Sequence, residues 1–128
     1  MTDDELLRAA RILIVEDDDF IGMMYAESLA EMGHGVCAVV TTEQGAVAAA
    51  AKYGPDFLIV DGSLAEGSGT AAVAEILRGG FVPHLFVSGN AAEIAALVPG
   101  ASILEKPFRV AELGRAVQRT LRASLAVE

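Results

Sequence analysis

Pro55-Asp56-Phe57-Leu58-Ile59-Val60-Asp61-Gly62-Ser63 is the stretch that decides the fold. The four apolar residues 57–60 are too few for a helix, and Pro55 and Gly62 punctuate the run on either side. An unbroken apolar run of that length reads as a strand buried on both faces. Asp61 then stands at the carboxyl end of a central strand, where open α/β sheets place their ligands. A lone aspartate there often does no more than cap the following loop. Two other stretches end in matching chemistry, however. Ile12-Leu13-Ile14-Val15 runs into Glu16-Asp17-Asp18-Asp19, and Ser102-Ile103-Leu104-Glu105 runs into Lys106-Pro107.

Outward from these stretches, strands and helices alternate. Residues 11–15 form the first strand, and Asp18 or Asp19 caps a helix with Ile21, Met24, Tyr25, Leu29 and Met32 on one face. Gly33-His34-Gly35 stops that helix, with His34 read as a turn residue having no second metal ligand nearby. Residues 36–40 form the second strand, and Thr41-x-x-Gln44 opens a helix running to about Tyr53. After the third strand, residues 62–69 form a flexible loop rich in glycine and serine. The next helix turns Ala72, Val73, Ile76 and Leu77 inward and ends at Gly79-Gly80. A short strand over 84–87 ends at Ser88-Gly89-Asn90, and Asn90-x-x-Glu93 caps a brief helix over 91–97. Residues 102–104 make the fifth strand. From Arg109 a last helix buries Val110, Leu113, Val117 and Leu121 and shows Arg109, Arg115, Arg119 and Arg122 outside. Ahead of the first strand, Thr2-x-x-Glu5 has capping-box spacing, so residues 3–9 are either a short helix or a frayed tail.

Five strands alternating with five helices imply a parallel sheet with right-handed crossovers and helices on both faces. The expected doubly wound order is 2-1-3-4-5. That topology brings Glu16, Asp17, Asp61, Ser88 and Lys106 to one edge of the sheet. Residues 1–10 read as an extension and residues 11–128 as one domain.

The totals agree with a single aliphatic domain. The chain has 128 residues, 53% of them hydrophobic and 5% aromatic, with no Trp. No apolar run approaches the about 20 residues that span a bilayer, and the first ten residues do not fit a secretory signal. A cytoplasmic protein without membrane insertion is expected. Cys37, the one cysteine, lies in an apolar run and reads as a buried structural thiol. The net charge of −9 opposes direct binding of nucleic acid or anionic membrane.

Three carboxylates at one site repel, at on the order of 1 to 4 kcal/mol per pair at about 4 Å. A divalent cation removes that repulsion, and an all-oxygen donor set selects a hard ion, Mg²⁺ before zinc. An aspartate, a hydroxyl, a lysine and an open Mg²⁺ position together make a phosphoryl site. The plainer alternative is a structural salt bridge between Lys106 and Asp61, which leaves Glu16 and Asp17 without a purpose.

With these residues placed, the chain resembles a response-regulator receiver domain of bacterial two-component signalling, a flavodoxin-like fold. The resemblance covers Arg11 to about Leu125 and rests on Ile-Leu-Ile-Val-Glu-Asp-Asp, Asp-Phe-Leu-Ile-Val-Asp, Phe-Val-Ser-Gly and Glu-Lys-Pro-Phe in combination. It implies that Asp61 is the phospho-acceptor and Asp17 a direct Mg²⁺ ligand, with Glu16 acting through water and the Ser63 carbonyl as a backbone ligand. It also implies that Ser88 is the switch hydroxyl, leading into Gly89 and Asn90, that Lys106 binds phosphate, and that the bond to Pro107 is cis. Asp18 reads as a helix cap. Two features depart from the family pattern: Ile103 stands where receivers usually carry an aromatic switch residue, and the stretch from Ser88 to Lys106 is short. Pro83-His84-Leu85-Phe86-Val87-Ser88-Gly89 resembles the corresponding run of a subclass lacking that aromatic.

The implied partners are a histidine kinase or histidine phosphotransfer protein upstream and a protein target downstream. The chain is expected to act as a monomer or weak dimer, a stand-alone signalling domain and not an enzyme. The alternatives are a Mg²⁺-dependent aspartate-nucleophile phosphatase of small phosphates, for which no cap domain is visible, and a flavin binder, for which no glycine-rich phosphate loop or aromatic pair is visible.

Overall fold

The computed structural model describes residues 10–125. The capping box at Thr2 and Glu5 lies outside the described residues. The elements are β1 (Arg11–Val15), α1 (Asp19–Glu31), β2 (Gly35–Val40), α2 (Glu43–Tyr53), β3 (Phe57–Asp61), α3 (Gly69–Leu77), β4 (His84–Ser88), α4 (Ala91–Leu97), β5 (Ile103–Glu105) and α5 (Val110–Leu125). The five strands form one parallel sheet in the expected order β2-β1-β3-β4-β5.

Strand periodicity splits the core into two layers. On one face Ile12, Ile14, Phe57, Ile59, Leu85 and Val87 pack beneath Tyr25 and Leu29 of α1 and Leu113, Ala116, Val117 and Leu121 of α5. On the other, Leu13, Val15, Leu58, Val60 and Phe86 pack beneath Ala46 and Ala49 of α2, Ala72 and Val73 of α3 and Ile94 of α4. Consecutive residues of β1 and β3 thus serve opposite faces, which is why both runs are apolar without interruption. All of residues 57–60 are fully buried. Each such side chain contributes about 1.5–3 kcal/mol of hydrophobic stabilisation.

Several local expectations need correction. Met24 is 39% exposed, because the buried stripe of α1 runs through Gly22, Tyr25 and Leu29, one step around the helix. The cap of α2 is Thr42, not Thr41: its Oγ1 accepts the Gly45 N–H at 3.0 Å, and Glu43 is the first helical residue. Strand β2 begins at Gly35, and β5 is shifted by one residue to Ile103–Glu105. Cys37 is half-buried, its Sγ donating to the Ile12 carbonyl at 3.4 Å. His34 is a turn residue but a deeply buried one, 4% exposed, with neither ring nitrogen hydrogen-bonded among the described residues.

Candidate phosphoryl-accepting site

The carboxyl ends of β1, β3, β4 and β5 meet at one edge of the sheet. The chain leaves β1 through Glu16, whose N–H donates to the Val40 carbonyl at 2.9 Å, extending the pairing with β2 by one residue. This draws the Glu16 side chain inward, to 1% exposure, while Asp17 faces solvent. Asp18 ends the turn as the cap of α1, its Oδ1 accepting the N–H groups of Phe20 at 2.9 Å and Ile21 at 3.1 Å. Asp18 is thereby occupied with the helix, as the sequence implies.

Asp61 is the last residue of β3 and is buried. Its two oxygens are used differently. Oδ1 accepts the Ser63 N–H at 3.0 Å, and Oδ2 accepts from Lys106 Nζ at 3.0 Å. Lys106 also reaches Glu16 Oε1, at 3.4 Å. The lysine is anchored at the end of β5 by its backbone N–H, which donates to the Ser88 carbonyl at 2.8 Å. The Lys106–Pro107 bond is cis. Phe108, next in line, stacks on Tyr25 with ring centroids 5.9 Å apart.

Carboxylate oxygens of Glu16, Asp17 and Asp61 lie within 4.8 Å of one another. Burial, then proton sharing with Asp61 and the Asp61 charge, push the Glu16 carboxyl up to about 8 against the opposing pull of Lys106. Burial acts to depress the Lys106 ammonium, but its hydrogen bond to Asp61 and the charges of Asp61 and Glu16 outweigh that and raise it. Burial likewise raises the Tyr25 phenol, which sits within the field of the same three groups. Sequence periodicity marked Tyr25 as a core residue; nothing in its spacing signalled this proximity.

One observation tests the fit of a metal. Glu16 Oε2 is buried without a hydrogen-bond partner among the described residues, beside two further carboxylates. Such an oxygen requires a proton or a cation. The donor set is all oxygen and suits a hard divalent ion. The residues present therefore fit Mg²⁺.

The remaining residues singled out from the sequence fall around this centre. Ser88 ends β4, buried, and its Oγ accepts the Asn90 N–H at 2.9 Å. Gly89 and Asn90 form the exposed turn after it, with Asn90 capping α4 through the Glu93 N–H at 3.2 Å. Ser63 is exposed in the β3–α3 loop. Ile103 is half-buried on β5 opposite Phe86 and packs onto the core layer beneath α2, α3 and α4.

Residues 12–118 match the response regulator receiver domain. The chain belongs to that family. It is 33% identical over 115 residues to the KDP operon transcriptional regulatory protein KdpE of Escherichia coli, covering 87% of this receiver and 51% of KdpE. It is 30% identical over 117 residues to the phyllosphere-induced regulator PhyR of Methylorubrum extorquens, covering 88% of this receiver and 44% of PhyR. This receiver spans about half the length of these curated relatives. Among solved structures, the PhyR receiver domain of Erythrobacter litoralis superposes with a TM-score of 0.78 at 26% identity, covering 94% of this chain and 92% of that one. PhyR of Brucella abortus gives 0.84 at 27% identity, over 97% of this chain and 53% of that one. The flavodoxin-like receiver fold and a role in two-component signalling follow from this membership.

Proposed function

We propose that this receiver accepts a phosphoryl group on Asp61 from a histidine kinase or histidine phosphotransfer protein and signals through altered contacts with a protein target. The observation that carries the reading is the Lys106 ammonium 3.0 Å from Asp61 Oδ2, inside a cluster of three carboxylates at the carboxyl edge of the sheet.

Asp61 is the nucleophile: a carboxylate oxygen attacks phosphorus, an O–P bond forms as the P–N bond of the donor phosphoimidazole breaks, and the leaving imidazole takes up a proton from water. Lys106 holds Asp61 in place before transfer and offsets charge on the phosphoryl oxygens after it. Ser88 uses its oxygen to accept from Asn90, so its hydroxyl proton remains free to donate to a phosphoryl oxygen. Asp17, Asp61, the Ser63 carbonyl and, through water, Glu16 would hold Mg²⁺, which when bound supplies positive charge to the phosphoryl oxygens. The buried Glu16 Oε2, which has no hydrogen-bond partner among the described residues, supports this assignment. Membership of the receiver family favours this reading over hydrolysis of small phosphates.

Beryllofluoride, a non-transferable phosphoryl mimic, tests the site in solution. With Mg²⁺ present, backbone amide NMR shifts are expected to centre on residues 61–63, 88–90 and 106. Shifts centred elsewhere, or the same shifts without Mg²⁺, would overturn the assignment.

A further inference from the structure

The β3–α3 loop carries Ser63, yet the side chain that ties this loop down comes from another element. Glu43, first residue of α2, is half-buried, and its Oε1 accepts the Ser68 N–H at 2.9 Å. Its own N–H donates to the Glu66 carbonyl at 3.2 Å. One residue thus closes a two-point clamp across a sequence separation of 25 residues. Gly67 lies between the two points with φ of +86°, a left-handed conformation that favours glycine. A Cβ added there would come 2.5 Å from Glu43 Cβ and 2.7 Å from Glu43 Oε1. The loop therefore seats directly on the Glu43 side chain, and only a residue without a Cβ permits that seat.

From the clamp, a short chain of contacts reaches the acceptor. Ser68 pairs with Ser63 in an isolated antiparallel bridge, and the Ser63 N–H donates to Asp61 Oδ1 at 3.0 Å. Ser68 also caps α3, its Oγ accepting the Ala71 N–H at 3.2 Å. Fixing Ser68 therefore fixes both the start of α3 and the loop segment that carries Ser63.

We infer that Glu43 is a positioning residue for the cation site, setting the Ser63 carbonyl through the Ser68 and Glu66 clamp. The inference rests on the reading of the carboxylate cluster as a Mg²⁺ site. Partners that orient metal ligands from outside the coordination sphere typically change metal affinity 10–100-fold when removed. Glu43 acts through one intermediate bridge, so the lower end of that range applies.

The test compares wild type with Glu43→Ala, Glu43→Gln, Gly67→Ala and Asp17→Ala, using the full chain. Without Mg²⁺, Glu43→Ala is expected to accelerate amide hydrogen exchange in residues 63–68 about fivefold or more, the loss of one hydrogen bond. It should also weaken Mg²⁺ binding by calorimetry about tenfold. Glu43→Gln keeps an acceptor oxygen for Ser68 and should restore both within about twofold, which a purely structural role for the charge would not produce. Gly67→Ala approaches the clamp from the loop side and should weaken Mg²⁺ binding as Glu43→Ala does. Wild-type protein that binds no Mg²⁺, or Asp17→Ala that binds it fully, would overturn the underlying site. Wild-type affinity in Glu43→Ala or Gly67→Ala, or a Glu43→Gln variant as weak as the alanine, would overturn the role of Glu43 alone.

Discussion

Glu16 and Asp61 are buried acids, and Lys106 is the single cation paired with both among the described residues. Removing one partner from such a pair leaves the others desolvated and unmatched. Lys106→Met is expected to lower stability in chelator by about 1–3 kcal/mol, the smaller end for a lysine whose side chain is 30% exposed. Added Mg²⁺ should recover most of that loss, because the cation compensates the same oxygens. Thermal denaturation in the two buffers checks this; equal melting temperatures for wild type and variant in chelator would contradict it. At this scale the sequence was most informative. The placement of Glu16, Asp61 and Ser88 at one edge of the sheet was legible because each directly follows an apolar run, and Asp17 and Lys106 stand one residue further on. Glu43 was not, since its partner Ser68 is 25 residues away and only the tertiary fold brings them together.

Among the helices, α4 is the shortest and has the fewest buried residues. It has seven residues, below the length at which an isolated helix persists, and Ile94 is its one buried side chain. Ile94 packs over Gly62, where an added Cβ would collide with Ile94 Cδ1. Gly62 adjoins Asp61, so the anchor of α4 rests next to the acceptor, while Ile103 has neither the ring nor the polar tip for the aromatic switch of other receivers. A signal is therefore expected to run through Ser88, Asn90 and α4. Mg²⁺ with acetyl phosphate should increase hydrogen-exchange protection in residues 89–100 more than in any other segment. Ile94→Ala, a loss of about 2–5 kcal/mol of local packing, should raise exchange there while labelling of the chain by acetyl phosphate persists. A largest change in α1 or α2 instead would place the route elsewhere. The bounds of α4 were readable from Asn90, Glu93 and Pro99, because caps and breakers are local chemistry. The starts of α2 and β5 were misread by one residue: two adjacent threonines offer the same cap and only Thr42 takes the Gly45 N–H, while the pairing of β5 with β4 is not local.

For the whole molecule, the parallel sheet was legible from alternation and its order 2-1-3-4-5 from the doubly wound arrangement of five units, whereas the burial of His34 was not, since a histidine between two glycines carries no periodic signal. Burial lowers the His34 imidazole from its ordinary value of 6.5. The unfolded chain therefore binds a proton at His34 at a higher pH than the fold does. Stability from this residue is complete above about 6.5 and is lost as pH falls through the lower value of the folded state. Denaturant unfolding of wild type and His34→Leu, compared from pH 7.5 to about 5, should show wild type losing ground as pH falls; parallel curves would contradict the burial of a neutral ring. Glu16 titrates in both proteins and drops out of the difference. Wild type and Asp61→Asn should be treated with acetyl phosphate, with Mg²⁺ and with chelator, and the product mapped by peptide mass spectrometry after trapping the acyl phosphate. One phosphoryl group on Asp61, dependent on Mg²⁺ and absent from Asp61→Asn, is the result predicted; a phosphoryl group on any other residue, or full labelling of Asp61→Asn, would contradict it.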